Sequence, residues 1–370
     1  RDCLLSRGLG DVYKRQYLNY KLTGNLIDSA SNQIGHIPFD YKNRRWMKPG
    51  SLTRCFCDVP NEKLCDLVPS GTVIGTVTDE VCALTGIPAG LPLISTGSDK
   101  GCETLGLAVV DSDKASISLG TTATIQFSTT EYVEPQQFLP AYPGVLNDHY
   151  NPEIEIYRGL WLLSWFVKEF GTADAIDAKE KGMAPEALLD ERIRDLPAGS
   201  DGLLLQPYWT AGILHPDSLG AVIGFSDYHT RYHFYRAIIE GLCLELYMAL
   251  RIMEDRSGLT IHEIRIGGGG AKSDVVCQIA ADVFGLPVVR SQTHEACSIG
   301  SSMVAFVAKG VFADFDAAAK AMVHVKDTFQ PNERNHEVYN DIYEQAYRKI
   351  YPRLRPIYQK LIQVKRRIAQ

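Results

Sequence analysis

Apolar positions along this chain recur with two periods, every second residue in short runs and every third or fourth in longer ones. Runs of the two kinds alternate, which predicts an α/β fold. Tyr17 to Gly24 reads as a short amphipathic helix closed by Gly24, and polar, turn-rich sequence follows through Trp46. Leu64 to Gly75 is broken by Pro69, Gly71 and Gly75 and predicts loop and short strand. Asp79 to Gly86 predicts a helix ending at its glycine, Leu91 to Ser95 a buried strand, and Lys100 to Val110 another helix. Ala115 to Leu119 and Ala123 to Ser128 predict two strands joined at Gly120-Thr121-Thr122.

The second half repeats the alternation with longer helices. Leu160 to Phe170 predicts a helix whose Trp161 and Trp165 share one face and face the core. Asp201 to Leu205 predicts a strand. Tyr232 to Glu254 predicts a long helix with Phe234, Ile238, Leu242 and Leu246 on its apolar face, and Arg236 and Glu240 one turn apart and able to pair. Ile261 to Ile266 alternates and runs into four glycines, so it predicts a strand. Ser273 is placed to cap a helix that runs to Phe284 and stops at Gly285, and Glu295 to Lys309 predicts a helix closed by Gly310. Asn332 to Tyr351 predicts the last helix, with Pro352 and Pro356 interrupting any continuation. No internal repeat or low-complexity segment is present.

Composition narrows the class. The chain has 370 residues, and about 150 per domain predicts two domains. A net charge of −6 predicts no non-specific hold on nucleic acid. No run of about 18 apolar residues exists, which excludes a transmembrane helix. The nine cysteines are scattered, only Cys55 and Cys57 are close, and no zinc set is completed around them; reduced thiols in a cytoplasmic protein are expected. From Arg348 to Gln370 there are eight Lys or Arg and no Asp or Glu, which predicts a solvated helix face with a basic last turn that suits the helix dipole. Residues 1–16 have neither the apolar core of a signal peptide nor a periodicity that leads into the next segment, and they read as a non-native leader.

Three places could carry chemistry. The run Gly267-Gly268-Gly269-Gly270-Ala271-Lys272-Ser273 lies between a strand and a helix start, where glycines let a ligand approach free backbone N–H groups. A turn that only packs strand on helix would also need such glycines. The P-loop spacing fails, because Ala271 separates the last glycine from Lys272. Ser118-Leu119-Gly120-Thr121-Thr122 is a strand and turn with N–H and O–H donors suited to phosphate, though turns of this composition are common. Thr96-Gly97-Ser98-Asp99 follows a strand and precedes a helix. Its carboxylate suits a general base equally with a helix N-cap.

Taken in order, five segments are specific together: VPSGTVIGTVTDEVCALTGIPAGLPLISTGSDKGCETLG (68–106), SISLGTT (116–122), SLGAVIGF with RAIIEGLCLEL (218–225, 236–246), IRIGGGGAKSDVVCQIAADVFGLPV (264–288) and EACSIGSSMVAFVAKGVF (295–312). The chain resembles the FGGY carbohydrate kinases, the family of xylulokinase, gluconokinase and glycerol kinase, over roughly Tyr17 to Tyr351. The resemblance implies the actin-like ATPase, ribonuclease H-like fold in two domains. It implies ATP-dependent phosphorylation of a sugar (a pentulose, hexulose or related polyol) with Mg²⁺ on the phosphates. It places Asp99 as the base for the attacking hydroxyl. It places Gly120, Thr121 and Thr122 at the ATP phosphates, Gly268, Gly269, Gly270 and Ala271 under the adenosine with Ser273 opening the next helix, and Gly220 and Gly224, with Phe225, near the nucleotide. Glu295 and Gly300 match a helix start that packs behind the site.

Family members begin with a strand and an Asp-x-Gly-Thr loop that nothing here matches. On this reading the first domain is incomplete and the chain N-terminally truncated, with phosphorylation impaired and nucleotide binding weakened. Residues 17–95 form the C-terminal part of the first domain, 96–330 the nucleotide-binding second domain, and 331–370 a helix and basic tail. Trp46, Arg158 and Trp161 are polar-aromatic candidates for the sugar cleft, and core packing accounts equally well for the two tryptophans. Expected partners are the sugar and ATP, without nucleic acid or membrane; oligomeric state stays open, a homodimer included. The alternative readings are a nucleotide-binding scaffold that keeps the fold without catalysis, and a nicotinamide dehydrogenase built on the glycine run.

Overall fold

The computed structural model describes residues 16–368, apart from 36–37, 58 and 213–214. The expected leader therefore lies outside the described residues, except Gln16. Two compact units form, each from separated stretches of chain. One takes the chain up to Ser112, then Phe127–Pro152 and Glu295–His324; the other takes Asp113–Gln126, Glu153–His294 and the chain from Val325 onward.

The second unit is built on a six-stranded mixed sheet. In chain order its strands are β1 (Lys114–Leu119), β2 (Ala123–Phe127), β3 (Glu153–Ile156), β4 (Glu263–Gly267), β5 (Val288–Ser291) and β6 (Val325–Phe329). In space the order is β3-β2-β1-β4-β5-β6. The central pairs β1–β4 and β4–β5 are parallel, and β3 and β6 close the edges antiparallel. Every residue from Ala115 to Leu119 and from Ala123 to Phe127 is buried. Both faces of these strands are covered, as expected for strands in which Gln126 is the one long polar side chain among small and apolar residues. β4 alternates as its sequence does, with Ile264 and Ile266 buried and Glu263 and Arg265 partly exposed.

The long helix Arg231–Ser257 is capped by Thr230 and stopped by Gly258 in the left-handed conformation. The expected Arg236–Glu240 pair forms at 2.7 Å and is buried. Such a pair is tolerable only when its remaining donors and acceptors are filled. Here Glu240 also accepts from Gly199 N, the Ser200 hydroxyl and the Tyr339 hydroxyl, while Arg236 donates to Ile193 O. One network thus ties three stretches remote in sequence.

The first unit is made of two-stranded ribbons and short helices. Ile27–Ser29 pairs with Asp66–Val68, and Val73–Thr76 pairs with Pro92–Ile94. Helices Asp99–Gly106 and Ala296–Ala308 meet through two glycines. A Cβ on Gly106 would lie 1.8 Å from Ala296 O, and one on Gly300 1.9 Å from Cys102 O. Around this crossing Cys102, Leu105, Val145, Met303, Val304 and Ala318 form the core.

Several expectations shift. The helix expected over 100–110 ends at Gly106. The strand expected over 201–205 starts at Leu204, because Ser200–Gly202 forms a 3₁₀ turn. Trp161 and Trp165 are half-buried rather than enclosed. The largest correction is at the C-terminus. After a π-helical turn at Tyr343–Tyr347 the helix continues over Arg348–Ile368, straight through Pro352 and Pro356. Both prolines lie on the exposed side, so the carbonyls that lose their N–H partners there face water. Buried Ile350 and Tyr358 hold the helix down, the latter donating to Gln206 Oε1. The basic residues Lys365, Arg366 and Arg367 occupy its last turn. Among the described residues no helix is long and apolar enough to cross a membrane.

Candidate active site

In the first unit, the strand Pro92–Ile94 turns through Thr96-Gly97 into the helix that begins at Asp99. A Cβ on Gly97 would lie 2.4 Å from Val145 Cγ2, so this turn closes only with glycine. Ser98, not Asp99, is the N-cap: its hydroxyl accepts from Gly101 N at 3.0 Å. Asp99 stands one position further on, exposed, with Oδ1 accepting from Lys100 N. Behind the turn sits a buried polar knot. Asp28 accepts from Ser29 N, Asn32 Nδ2 and Gln33 Nε2, and Ser31 O accepts from Ser98 N at 3.1 Å. The sequence reading took 28–33 as polar turn. Nothing local marks these side chains as buried, and their partners include Gly144 O, more than a hundred positions away.

In the second unit, the register of β4 on β1 pairs Gly267 with Ser118. The carboxyl ends of two adjacent parallel strands therefore lie side by side, and the glycine turns that follow them leave the sheet at one edge. In open α/β sheets that edge is where ligands bind. The turns touch: a Cβ on Gly268, which has a φ of +74°, would lie 2.7 Å from Leu119 O. Gly270 is packed against the Leu119 and Leu160 side chains. Gly269 is different. It is exposed, and the nearest atom to its Cβ position is Leu119 O at 3.9 Å, so packing gives no reason for glycine there. Gly120 likewise meets nothing closer than 3.7 Å, and Thr121 is exposed.

Gly220 and Gly224 do have packing reasons. Their Cβ positions fall 2.4 Å from the Trp209 ring and 2.3 Å from Gly202 O. Ser273 caps the helix Asp274–Phe284 by accepting from Val276 N at 3.2 Å. Its hydroxyl also bonds Asp190, whose carboxyl is pushed up to about 6 by burial. Alongside this helix opens a cavity of about 360 Å³, lined by Arg194, Leu196, Asp274, Val275, Gln278 and Phe329 among others.

With the two turns thus joined, comparison with known proteins becomes informative. Residues 115–309 match the FGGY family of carbohydrate kinases, C-terminal domain, and residues 12–106 match the N-terminal domain of the same family. The chain belongs to the FGGY family of carbohydrate kinases. Its relatives include the uncharacterized sugar kinase YgcE of Escherichia coli K12, 32% identical over 325 residues, which cover 88% of this chain and 66% of that protein. A xylulose kinase of Staphylococcus epidermidis is 28% identical, covering 88% of this chain and 63% of its own length. The chain thus spans just under two thirds of the curated relatives it matches. Among solved structures, a ligand-bound xylulose kinase from Lactobacillus acidophilus superposes with a TM-score of 0.82 at 23% identity, over 94% of this chain and 68% of that one. A gluconate kinase from the same organism gives 0.81 at 23%, with the same coverage. The fold is the actin-like ATPase fold of the FGGY kinases.

Two supports of the glycine edge escaped the sequence reading. Arg290, on β5, donates from Nη1 to Ala271 O at 2.9 Å while paired with Asp274 and Asp327, and so fixes the glycine run from behind. A charged residue inside the apolar run Val288–Ser291 is the signal that could have found it. The segment 158–160 lies on the Thr121 turn: Gly159 N donates to Thr121 O and Leu160 N to Gly120 O, each at 2.8 Å. Of the tryptophan candidates, Trp46 donates its indole N–H to Cys65 O, and Trp161 lies under the Arg158 guanidinium at 4.7 Å.

Proposed function

We propose that this chain carries the nucleotide site and catalytic base of an ATP-dependent sugar kinase acting on a pentulose, hexulose or related polyol. The observation that carries the proposal is the pairing of Gly267 with Ser118, which puts two glycine turns at one carboxyl edge of the sheet. Phosphoryl transfer asks for positioning, neutralisation of charge and a base, and little else. In this reading the N–H groups of Gly120, Thr121 and Thr122 and the threonine hydroxyls hold phosphate oxygens. The run Gly268, Gly269, Gly270 and Ala271 lies under the adenosine, and the cavity beside Ser273 has the size of a small-ligand pocket. Gly220 and Gly224 shape the hairpin near the nucleotide. Asp99 accepts the proton of the sugar hydroxyl as its oxygen bonds to the γ-phosphorus and the bond to the β-bridging oxygen breaks. Ser98 meets the capping need of the helix, which leaves the Asp99 carboxylate available for that task.

Among the described residues no group of three or more His, Cys, Asp or Glu gathers as a metal cage. Mg²⁺ would be held through phosphate oxygens, waters and one or two carboxylates. When bound it neutralises phosphate charge.

The test is calorimetric titration of Mg-ADP into the folded chain, paired with a coupled assay over a panel of pentuloses, hexuloses and polyols. Binding that Gly269→Asp abolishes, with turnover that Asp99→Asn removes while leaving ADP affinity intact, is the expected result. A folded chain that ignores Mg-ADP would overturn the reading.

A further inference from the structure

We infer that Arg158 is a phosphate clamp of this nucleotide site, contacting the β-phosphate; the inference rests on the nucleotide reading above. Its backbone neighbours Gly159 and Leu160 are bonded to the Gly120–Thr121 turn, and a Cβ on Gly159 would lie 2.4 Å from the Thr122 carbonyl carbon. Residue 158 is therefore anchored at the turn proposed to hold phosphates. Its side chain is also fixed. Nε donates to Thr210 Oγ1 at 3.1 Å, and the guanidinium carbon lies over the Trp161 ring, 4.7 Å from its centroid. Thr210 follows Trp209, whose ring packs on Gly220. Arg158 thus bridges the phosphate turn and the Gly220 hairpin within one unit.

What the side chain lacks is a counter-charge. Arg236, Arg265 and Arg290 each pair with a carboxylate, and buried Arg54 spends its donors on the Met47 and Val59 carbonyls and the Asn61 amide oxygen. Among the described residues Arg158 is half-buried and has no carboxylate in reach; its contacts are one neutral hydroxyl and one ring. A guanidinium has five N–H donors in a rigid fork, and only the Nε donor is used. The two Nη groups remain as a planar pair, the geometry that grips a phosphate bidentately. The stacking on Trp161 and the bond to Thr210 preset that geometry before ligand arrives, so little rotamer entropy is lost on binding.

The experiment compares AMP, ADP and ATP, each with Mg²⁺, on the full chain and on Arg158→Gln, Arg158→Lys and Thr210→Val, with a melting curve for each variant. Arg158→Gln is expected to weaken ADP by about 10- to 100-fold, the effect of losing a charged hydrogen-bond partner, while AMP affinity holds. Arg158→Lys should recover part of the loss, since charge returns without the fork. Thr210→Val should give a smaller loss in the same direction, and it answers the question if the Arg158 variants fail to fold. Equal weakening of AMP and ADP, or unchanged ADP affinity, would show that Arg158 only packs the turn. A wild-type chain that binds none of the three overturns the nucleotide reading and this inference with it, a result distinct from one in which only the Arg158 variants behave normally.

Discussion

At the scale of single residues, burial rather than composition decides which groups do unusual things. Glu245 shows this best. It is enclosed, accepts from the Tyr208 and Tyr347 hydroxyls at 2.7 and 3.0 Å, and is pushed by burial up to about 7. The folded protein therefore holds a proton between the usual carboxylate range and pH 7 that the unfolded chain has released. By linkage, stability from this group is fully present at low pH and falls as pH rises through 7. Glu245→Gln keeps the shape without the ionisation. The stability difference between wild type and Glu245→Gln should move by about 3 kcal/mol between pH 4.5 and pH 8, in favour of the variant at the higher pH, in parallel urea titrations. A difference that stays flat with pH would mean that water reaches the carboxyl. The same scale separates the glycines: Gly268 and Gly270 are required by Leu119 and Leu160, while Gly269 is not.

At the scale of elements, much was legible. Helix ends written in glycine behave as read: Gly24, Gly86, Gly285 and Gly310 all take positive φ just past a helix. The Ser273 cap and the strand before the glycine run were legible for the same reason, since short-range physics sets them. What was not legible depends on partners far away in the chain. Asn32 and Gln33 are buried where both donate to the Asp28 carboxylate, and no local pattern says so. Pro352 and Pro356 sit inside a helix because tertiary anchors on either side outweigh a local penalty of about 3 kcal/mol each for an interior proline. The crossing of Asp99–Gly106 on Ala296–Ala308 is the element-level feature most open to test. Gly300→Ala should destabilise the protein by about 3 kcal/mol through overpacking, whereas Gly269→Ala should leave stability nearly unchanged. Similar melting temperatures for the two variants would show that the helices can separate at little cost.

At the scale of the whole molecule, the candidate site was legible as motifs but not as an assembly. The glycine run, the Gly-Thr-Thr turn and Asp99 could each be named from the chain. That the first two share an edge follows only from the β1–β4 register. A ligand held there stabilises the folded state by mass action, so Mg-ADP at a hundredfold its Kd should add about 2.7 kcal/mol, and the melting temperature should climb with the logarithm of ADP concentration while NADH leaves it in place. A melting temperature indifferent to ADP would argue against the site.

The two units have one further consequence. The chain passes from one to the other after Ser112, Gln126, Pro152, His294 and His324. No single cut divides them, and neither can be cloned as one uninterrupted fragment. A protease nick after Gln126, Pro152 or His294 leaves both halves of the cleaved chain with pieces of both units, and one after Ser112 or His324 splits off only part of one unit, so partial digestion should release no small stable body, and a gene encoding either unit alone would have to be rewired with new linkers.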